Sequence, residues 1–246
     1  MKINYCSFLH YIKKQGYSTY RLRKEKLVSE TTMQKLRHEI PVQAESMQRL
    51  CDALGISTSD FEALTNRTFT IIAGLNGSGK SSLTGSIKYE RKDLGTIVDV
   101  DQLTRQENGD FYVAGQLAMR IMQECMENCE NFTQETTLAG AYTRRVAKEA
   151  KSSGYRVRMY YVGIDSEEES LRRIKNRVEK GGHDIPADDV HRRWQNRANA
   201  LHKILPYCDE VVFFDNVNGF VEVGQIREGE FIGDKSNVPQ WLKEIL

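Results

Sequence analysis

Apolar positions recur every three or four residues through residues 1–66, and at Arg67 they give way to continuous β-branched runs. In the first part, "SFLHYIKK", "TYRLRKEK", "TTMQKLRHE" (after Ser29), "AESMQRLCDALG" and "STSDFEAL" predict five short helices, punctuated by Gly16, Pro41 and Gly55. Met33, Leu36 and Ile40 fall on one face of the third predicted helix, and Met47, Leu50, Cys51 and Leu54 on one face of the fourth. Both helices therefore have a stripe to bury. The third keeps Thr32, Gln34, Lys35, Arg37 and His38 for the outside.

Beyond Arg67 the pattern alternates. "TFTIIAG" reads as a buried strand, followed by predicted strands over 96–101, 132–136, 156–164 and 210–216, with helices over 111–129, 140–152, 166–180 and 187–204 between them. "GFVEVGQIREGEFIG" predicts a hairpin turning near Gly229, and "PQWLKEIL" a short last helix. The expected fold class is α/β: a parallel sheet flanked by helices, as in P-loop nucleoside triphosphatases, preceded by a small all-α domain. The domains divide at 1–66 and 67–246, with so short a linker around Asn66 that the two should pack against each other.

The turn after the first strand changes the picture from architecture to chemistry. "GLNGSGKS" fits GxxxxGK[ST] in the strand–loop–helix context that the motif requires. Gly74, Asn76, Gly77, Ser78, Gly79, Lys80, Ser81 and Ser82 are thus candidates for ATP binding: backbone N–H groups cradle phosphate at a helix N-terminus, Lys80 reaches the β/γ oxygens, and Ser81 holds Mg²⁺. In a sheet of this class, ligands bind outside the C-terminal strand ends. Those ends carry Asp99 and Asp101, then Glu135, Thr136 and Thr137, then Asp215 and Asn216. Several carboxylates beside a phosphate loop suit metal, substrate and base roles, although each can also serve as a helix cap.

Composition narrows the class little. A hydrophobic fraction of 39% with 28% charge is that of an ordinary globular chain. No apolar run approaches bilayer length and the N-terminus is polar, so neither a membrane segment nor a signal peptide is expected, and the expected location is cytoplasmic. Five cysteines without CxxC spacing fit reduced thiols rather than a zinc site. Net charge is +1, with a mild basic surplus in residues 1–66, which permits nucleic-acid contact without requiring it.

Two resemblances sharpen these readings. "TYRLRKEKLVSETTMQKLRHEIPVQAESMQRLCDALG" resembles the Cro/C1-type helix-turn-helix family, which implies a recognition helix near 30–38; bundles of this kind bind DNA or serve as inhibitory modules. "GLNGSGKSS", "VDVD", "QETTLAG", "YVGIDSEEESLRRIKNRVEKGGHDIPADDVHRR" and "FFDN" together resemble the zeta-toxin-like kinases of bacterial toxin–antitoxin systems, whose characterised members phosphorylate UDP-N-acetylglucosamine. That resemblance implies Asp101 as the base for a sugar hydroxyl, with Glu135, Thr136 and Thr137 on the acceptor. It also implies that "GGHDIPADDVHRR" is a lid bringing Arg177 and Arg192 or Arg193 over the ATP phosphates. His183 either donates to phosphate or caps the loop; it stands roughly where the longer members carry a second lid arginine. The expected function is a toxin-type kinase of a UDP-amino sugar with its N-terminal helices as DNA-binding or cis-inhibitory domain, docked over the phosphate loop if inhibitory. The alternatives are a kinase of another nucleotide or small hydroxyl compound, and a transcriptional regulator whose phosphate loop only senses nucleotide.

Overall fold

The computed structural model describes residues 5–57, 60–61, 65–107, 109–182 and 184–246. The first part contains α1 (Tyr5–Lys14), α2 (Thr19–Lys24), α3 (Glu30–Arg37) and α4 (Ala44–Leu54). Ser18 and Ser29 cap α2 and α3 by accepting from the backbone N–H of Arg21 and Thr32, and Gly55, at φ 64°, stops α4 in the left-handed conformation. Tyr5, Phe8, Leu22, Met33, Leu36 and Leu50 fill a core of its own. The fifth predicted helix falls partly on residues outside those described; Asp60, Phe61 and Thr65 are helical. Ile40 departs from expectation: α3 ends at Arg37, Glu39 turns at φ 55°, and Ile40 is left exposed beyond the helix.

The second part builds one seven-stranded sheet in the order β2-β3-β1-β4-β5-β6-β7. Its strands are β1 (Thr68–Gly74), β2 (Thr96–Asp99), β3 (Phe132–Thr136), β4 (Arg156–Gly163), β5 (Glu210–Asp215), β6 (Val221–Arg227) and β7 (Glu230–Ile232). The first five are parallel, and β6 and β7 add an antiparallel hairpin that turns at Glu228 and Gly229. Every residue of β1 is buried, as a central parallel strand covered on both faces requires. On one face lie α7 (Phe111–Glu127), α8 (Tyr142–Ser152), α10 (Ala187–Ile204) and α11 (Gln240–Lys243), which pack Met122, Val146, Leu201 and Trp241 onto Phe69, Ile71 and Phe213. The opposite face packs Ile72, Tyr160 and Val212 against Leu83 of α5 (Lys80–Ile87). The predicted second strand is shorter than expected: it stops at Asp99, and Val100 opens α6 (Val100–Gln106), capped by Asp99. Between β4 and α10 runs α9 (Glu167–Glu179).

The two parts touch at the end of the sheet where the strands begin. Arg67, directly before β1, pairs with Glu39 at 3.0 Å; Lys92, ahead of β2, pairs with Asp60 at 2.8 Å; and the Cys6 thiol donates to the Asn128 carbonyl at 3.6 Å. The expectation of an inhibitory bundle over the phosphate loop is not met, because that loop lies at the other end of β1. The short connection after Thr65 brings the helices to the near edge of the sheet and no further.

Candidate active site

A cavity of about 470 Å³ opens at the C-terminal ends of β1, β2 and β3. The phosphate loop forms one wall. Gly79 adopts φ 101° at the start of α5, and a Cβ there would come within 2.4 Å of Asn216 Nδ2, so a side chain at this position is excluded by both backbone and neighbour. Asn216 in turn donates from Nδ2 to the Ser78 carbonyl at 2.7 Å, so the end of β5 fixes the loop. From α9, Ser170 donates to the Asn76 carbonyl at 2.6 Å, which clamps the loop from the other side.

Asn76, Gly77, Gly79, Lys80, Ser81 and Ser82 line the cavity, as do Asp101, Glu135, Thr136, Thr137, Arg177 and Arg193. Three predicted residues do not. Gly74 ends β1 against the Val162 carbonyl, where a Cβ would come within 2.4 Å, and Ser78 is fully buried behind the loop; both shape it without facing the cavity. Arg192 points outward from α10, with 71% of its side chain exposed, and pairs with Asp189 at 2.7 Å. Its neighbour Arg193, one position on and so about 100° round the helix, faces inward and donates from Nη1 to Asn76 Oδ1 at 2.6 Å. His183 lies outside the described residues.

The electrostatics centre on Lys80, Ser81 and Glu135. Lys80 Nζ donates to the carbonyls of Gly74 and Leu75 at 3.0 and 2.9 Å. Burial pushes its pKa down to about 8, against the pull of Glu135, Asp101 and Asp99. Glu135 is buried at 8% exposure and uses both oxygens on α5: Ser81 Oγ donates to Oε2 at 2.8 Å and Thr84 Oγ1 to Oε1 at 2.5 Å. Burial raises the Glu135 pKa, opposed by those two hydroxyls and Lys80 and assisted by Asp99. The carboxylate expected at the acceptor thus sits at the hydroxyl expected to hold Mg²⁺. The Ser81 hydroxyl and the Glu135 carboxylate are oxygen donors of the kind a hard divalent cation takes, although among the described residues no three acidic, His or Cys side chains come together to hold one.

Asp101 stands exposed in the first turn of α6, its backbone N–H bonded to Asp99 Oδ1 at 2.9 Å. Asp99 is therefore the helix cap, and Asp101 is the exposed carboxylate on the cavity. Asp215 accepts from Trp241 Nε1 at 2.8 Å and so ties down α11. Arg173, Gln134, Tyr142 and Thr143 also line the cavity. Sequence reasoning missed all four. Arg173 was hidden among the many charges of α9, and Gln134 inside a strand otherwise read for its end.

Residues 112–221 match the family model described as Zeta toxin, and residues 9–65 the model described as Cro/C1-type HTH DNA-binding domain. An uncharacterised protein of Haemophilus influenzae is 33% identical over 126 residues, which is 49% of this chain and 88% of that protein. Among solved structures, one from the PezAT chromosomal toxin–antitoxin system of Streptococcus pneumoniae superposes with TM-score 0.50 at 15% identity, covering 63% of this chain and 71% of that one. The AvrRxo1-ORF1:-ORF2 structure with ATP superposes with TM-score 0.54 at 17% identity, covering 73% of this chain; the chain spans 63% of that protein's length. At such identities the likeness is one of fold.

Proposed function

The chain belongs to the zeta-toxin family, with a Cro/C1-type helix-turn-helix domain ahead of its P-loop kinase fold, and on that footing we propose that it transfers the γ-phosphoryl group of ATP to a sugar hydroxyl of a UDP-amino sugar resembling UDP-N-acetylglucosamine. One observation carries the reading: Lys80, Asp101 and Arg193, from three separate segments of the chain, line a single cavity. A nucleotide sensor needs the phosphate cradle but has no use for a free carboxylate opposite it. In this reading residues 67–246 are the kinase domain and act in the cytoplasm as a toxin.

The loop amides of residues 76–81 and Lys80 hold the β- and γ-phosphates. Ser81 Oγ, with Glu135 beside it, would hold Mg²⁺, which would supply charge neutralisation to the phosphates. Asp101 accepts the proton of the acceptor hydroxyl as its oxygen bonds to the γ-phosphorus and the bond to the β,γ-bridging oxygen breaks, releasing ADP. Arg177 and Arg193 meet the negative charge that spreads over the transferring group. Thr136 and Thr137 remain on the acceptor side, whereas Glu135 is better assigned to Ser81 and the cation.

Residues 1–66 form the helix-turn-helix domain, assigned to DNA binding or to restraint of the kinase in cis. The exposed face of α3, with Gln34, Arg37 and His38, favours DNA as the second function of the same chain. The test is incubation of the protein with ATP, Mg²⁺ and a panel of nucleotide sugars, other nucleotides and small hydroxyl compounds. A product heavier by one phosphate on the UDP-amino sugar supports the reading. Phosphorylation of another member instead replaces the acceptor class, and no product with any of them, alongside tight ATP binding, favours the sensor.

A further inference from the structure

The amide oxygen of Gln134 has no partner among the described residues. The residue lies in the middle of β3, 3% exposed, between Ile71 of β1 and Val98 of β2 in the sheet register. Its Oε1 is sealed from solvent, and no described residue donates to it. Burying an amide oxygen that accepts from nothing is unfavourable, and a Met, Leu or Val at this position of a core strand would carry no such cost. The side chain nevertheless lines the cavity. Its terminal torsion is soft and no protein bond fixes it, so either end of the amide can turn to a ligand.

The strand's alternation says which ligand. Successive side chains of a strand point to opposite faces. Glu135 faces α5 and takes the hydroxyls of Ser81 and Thr84, so it marks the nucleotide face. Gln134 faces the other way, with Ile71 and Val98 and toward the helices α7 and α8, where Thr136, Tyr142 and Thr143 complete that side of the cavity. Thr136 and Thr143 already have partners: their hydroxyls lie 3.2 Å apart, and Thr136 Oγ1 accepts from the Leu138 N–H. The polar groups left over on this side are the Gln134 amide and the Tyr142 hydroxyl, and of the two Gln134 is the one whose oxygen is buried without a donor among the described residues.

We infer that Gln134 is a specificity-determining residue that recognises, on the acceptor, a group able both to donate and to accept a hydrogen bond. On the proposed function, on which this inference rests, that group is the acetamido substituent of the amino sugar. An amide facing an amide satisfies both partners at once, and a site built this way discriminates against an acceptor lacking the group because its own buried dipole is then left unmatched.

The test replaces Gln134 by Met, which keeps the length and volume and removes the hydrogen-bonding ends. Three readouts are compared with the wild type in the full chain: melting temperature without ligand, KM for ATP, and kcat/KM for UDP-N-acetylglucosamine and UDP-glucose. The expected result is melting at or above the wild type, an unchanged KM for ATP, and kcat/KM for the acetamido sugar lowered about tenfold or more, as loss of one buried hydrogen bond implies, so that the preference over UDP-glucose collapses. A clearly lower melting temperature makes the amide structural and overturns the inference, as does a Gln134→Met protein that keeps its preference. The wild type separately tests the acceptor class. If it phosphorylates neither sugar, the two proteins are compared on whichever member of the wider panel it does use, and equal kcat/KM there overturns the inference. If it uses none, the melting comparison decides.

Discussion

Arg193 Nη1 donates to Asn76 Oδ1 at 2.6 Å, joining residues 117 positions apart and bringing the helix after the glycine-rich segment onto the phosphate loop. Arg193 lines the cavity, and apart from this bond its guanidinium has, among the described residues, only a loose 3.7 Å approach of Nη2 to Asp189, so it keeps N–H donors for an anion there. Arg192 turns its guanidinium to solvent and Asp189. Arg193→Ala is therefore expected to lower kcat by about 10³-fold, the low end for an arginine that meets a transferring phosphoryl group, with a smaller change in ATP affinity. Arg192→Ala is expected to stay within about twofold, as surface changes do. Steady-state kinetics on both variants check the pair, and equal losses would refute the assignment.

The carboxylate of Asp101 is exposed on the cavity while that of Asp99 caps its helix. Asp101→Asn keeps the side chain's shape and removes its basicity. It is expected to cost about 10²–10⁴-fold in kcat while nucleotide affinity, measured by titration with a non-hydrolysable ATP analogue, stays close to wild type. Asp99→Ala acts differently: it removes a cap worth about 1 kcal/mol and should show in stability first.

Lys80 gives a pH signature. Burial lowers its pKa to about 8 in the free protein, so between that value and 10.5 the folded chain carries a neutral amine that the unfolded chain would protonate. Stability is therefore expected to rise as pH goes up through this window. Phosphate beside the amine favours the ammonium, so binding of nucleotide above pH 8 should take up a fraction of a proton. Calorimetric titration of ATP near pH 8.5, in buffers of different ionisation enthalpy, reads this uptake directly, and Lys80→Arg should abolish it because guanidinium stays charged. An enthalpy independent of buffer would mean that Lys80 is already charged before ATP arrives.

Much of this was legible in the chain because the signals were local. The helix over 187–204 and the strand over 132–136 match their expected bounds, each set by a periodic run between clear breakers. The phosphate loop could be read residue by residue, since its conformation depends on glycines at fixed spacing. What escaped depends on contacts far apart in sequence. "VDVD" reads as strand to its end because valine favours strand, yet Asp99 accepts the N–H of Asp101 and turns the chain into α6. Choosing Arg193 over Arg192 needs the packing of α10, and Gln134 becomes conspicuous only once its neighbours are known to offer it nothing.

The sheet carries a buried ionic cluster that composition does not disclose. Asp93, 2% exposed, receives Arg91 at 2.8 and 2.7 Å and both terminal nitrogens of Arg158 at 3.0 Å. Burial pulls its pKa upward, but the two guanidiniums outweigh burial and hold it below the usual carboxylate value. A depressed folded pKa contributes stability that is present above the unfolded pKa and is lost as pH falls through the folded one. Acid should therefore weaken the wild type in that window and affect Asp93→Ala less. At neutral pH Asp93→Ala is expected to cost about 3 kcal/mol, because Arg158 is left buried with Glu210 at 3.5 Å as its remaining ion-pair partner among the described residues. Urea unfolding at several pH values checks both statements.

The position of the helix bundle constrains how it can regulate. It meets the kinase domain at Arg67, Lys92 and Asn128, where the strands begin, whereas the cavity opens where they end. Seven residues of β1 separate the two, roughly 20 Å at the usual rise of a strand. No residue of 1–66 lines the cavity among those described. A brake that blocked nucleotide entry would have to raise the apparent KM for ATP, so deleting residues 1–66 should leave that KM unchanged, and any restraint should appear in kcat alone. The comparison is turnover by residues 67–246 against the full chain, once the shorter protein is shown to be folded by its circular dichroism and cooperative melting. A KM for ATP that falls severalfold on deletion would mean that the helices reach the loop in a second arrangement. If neither constant moves, DNA becomes the partner of α3. Its binding in a gel shift should then weaken steeply with salt. Lys35→Ala and Arg37→Ala should each weaken it further and make the salt dependence shallower, because each variant neutralises one phosphate fewer and so releases fewer counterions.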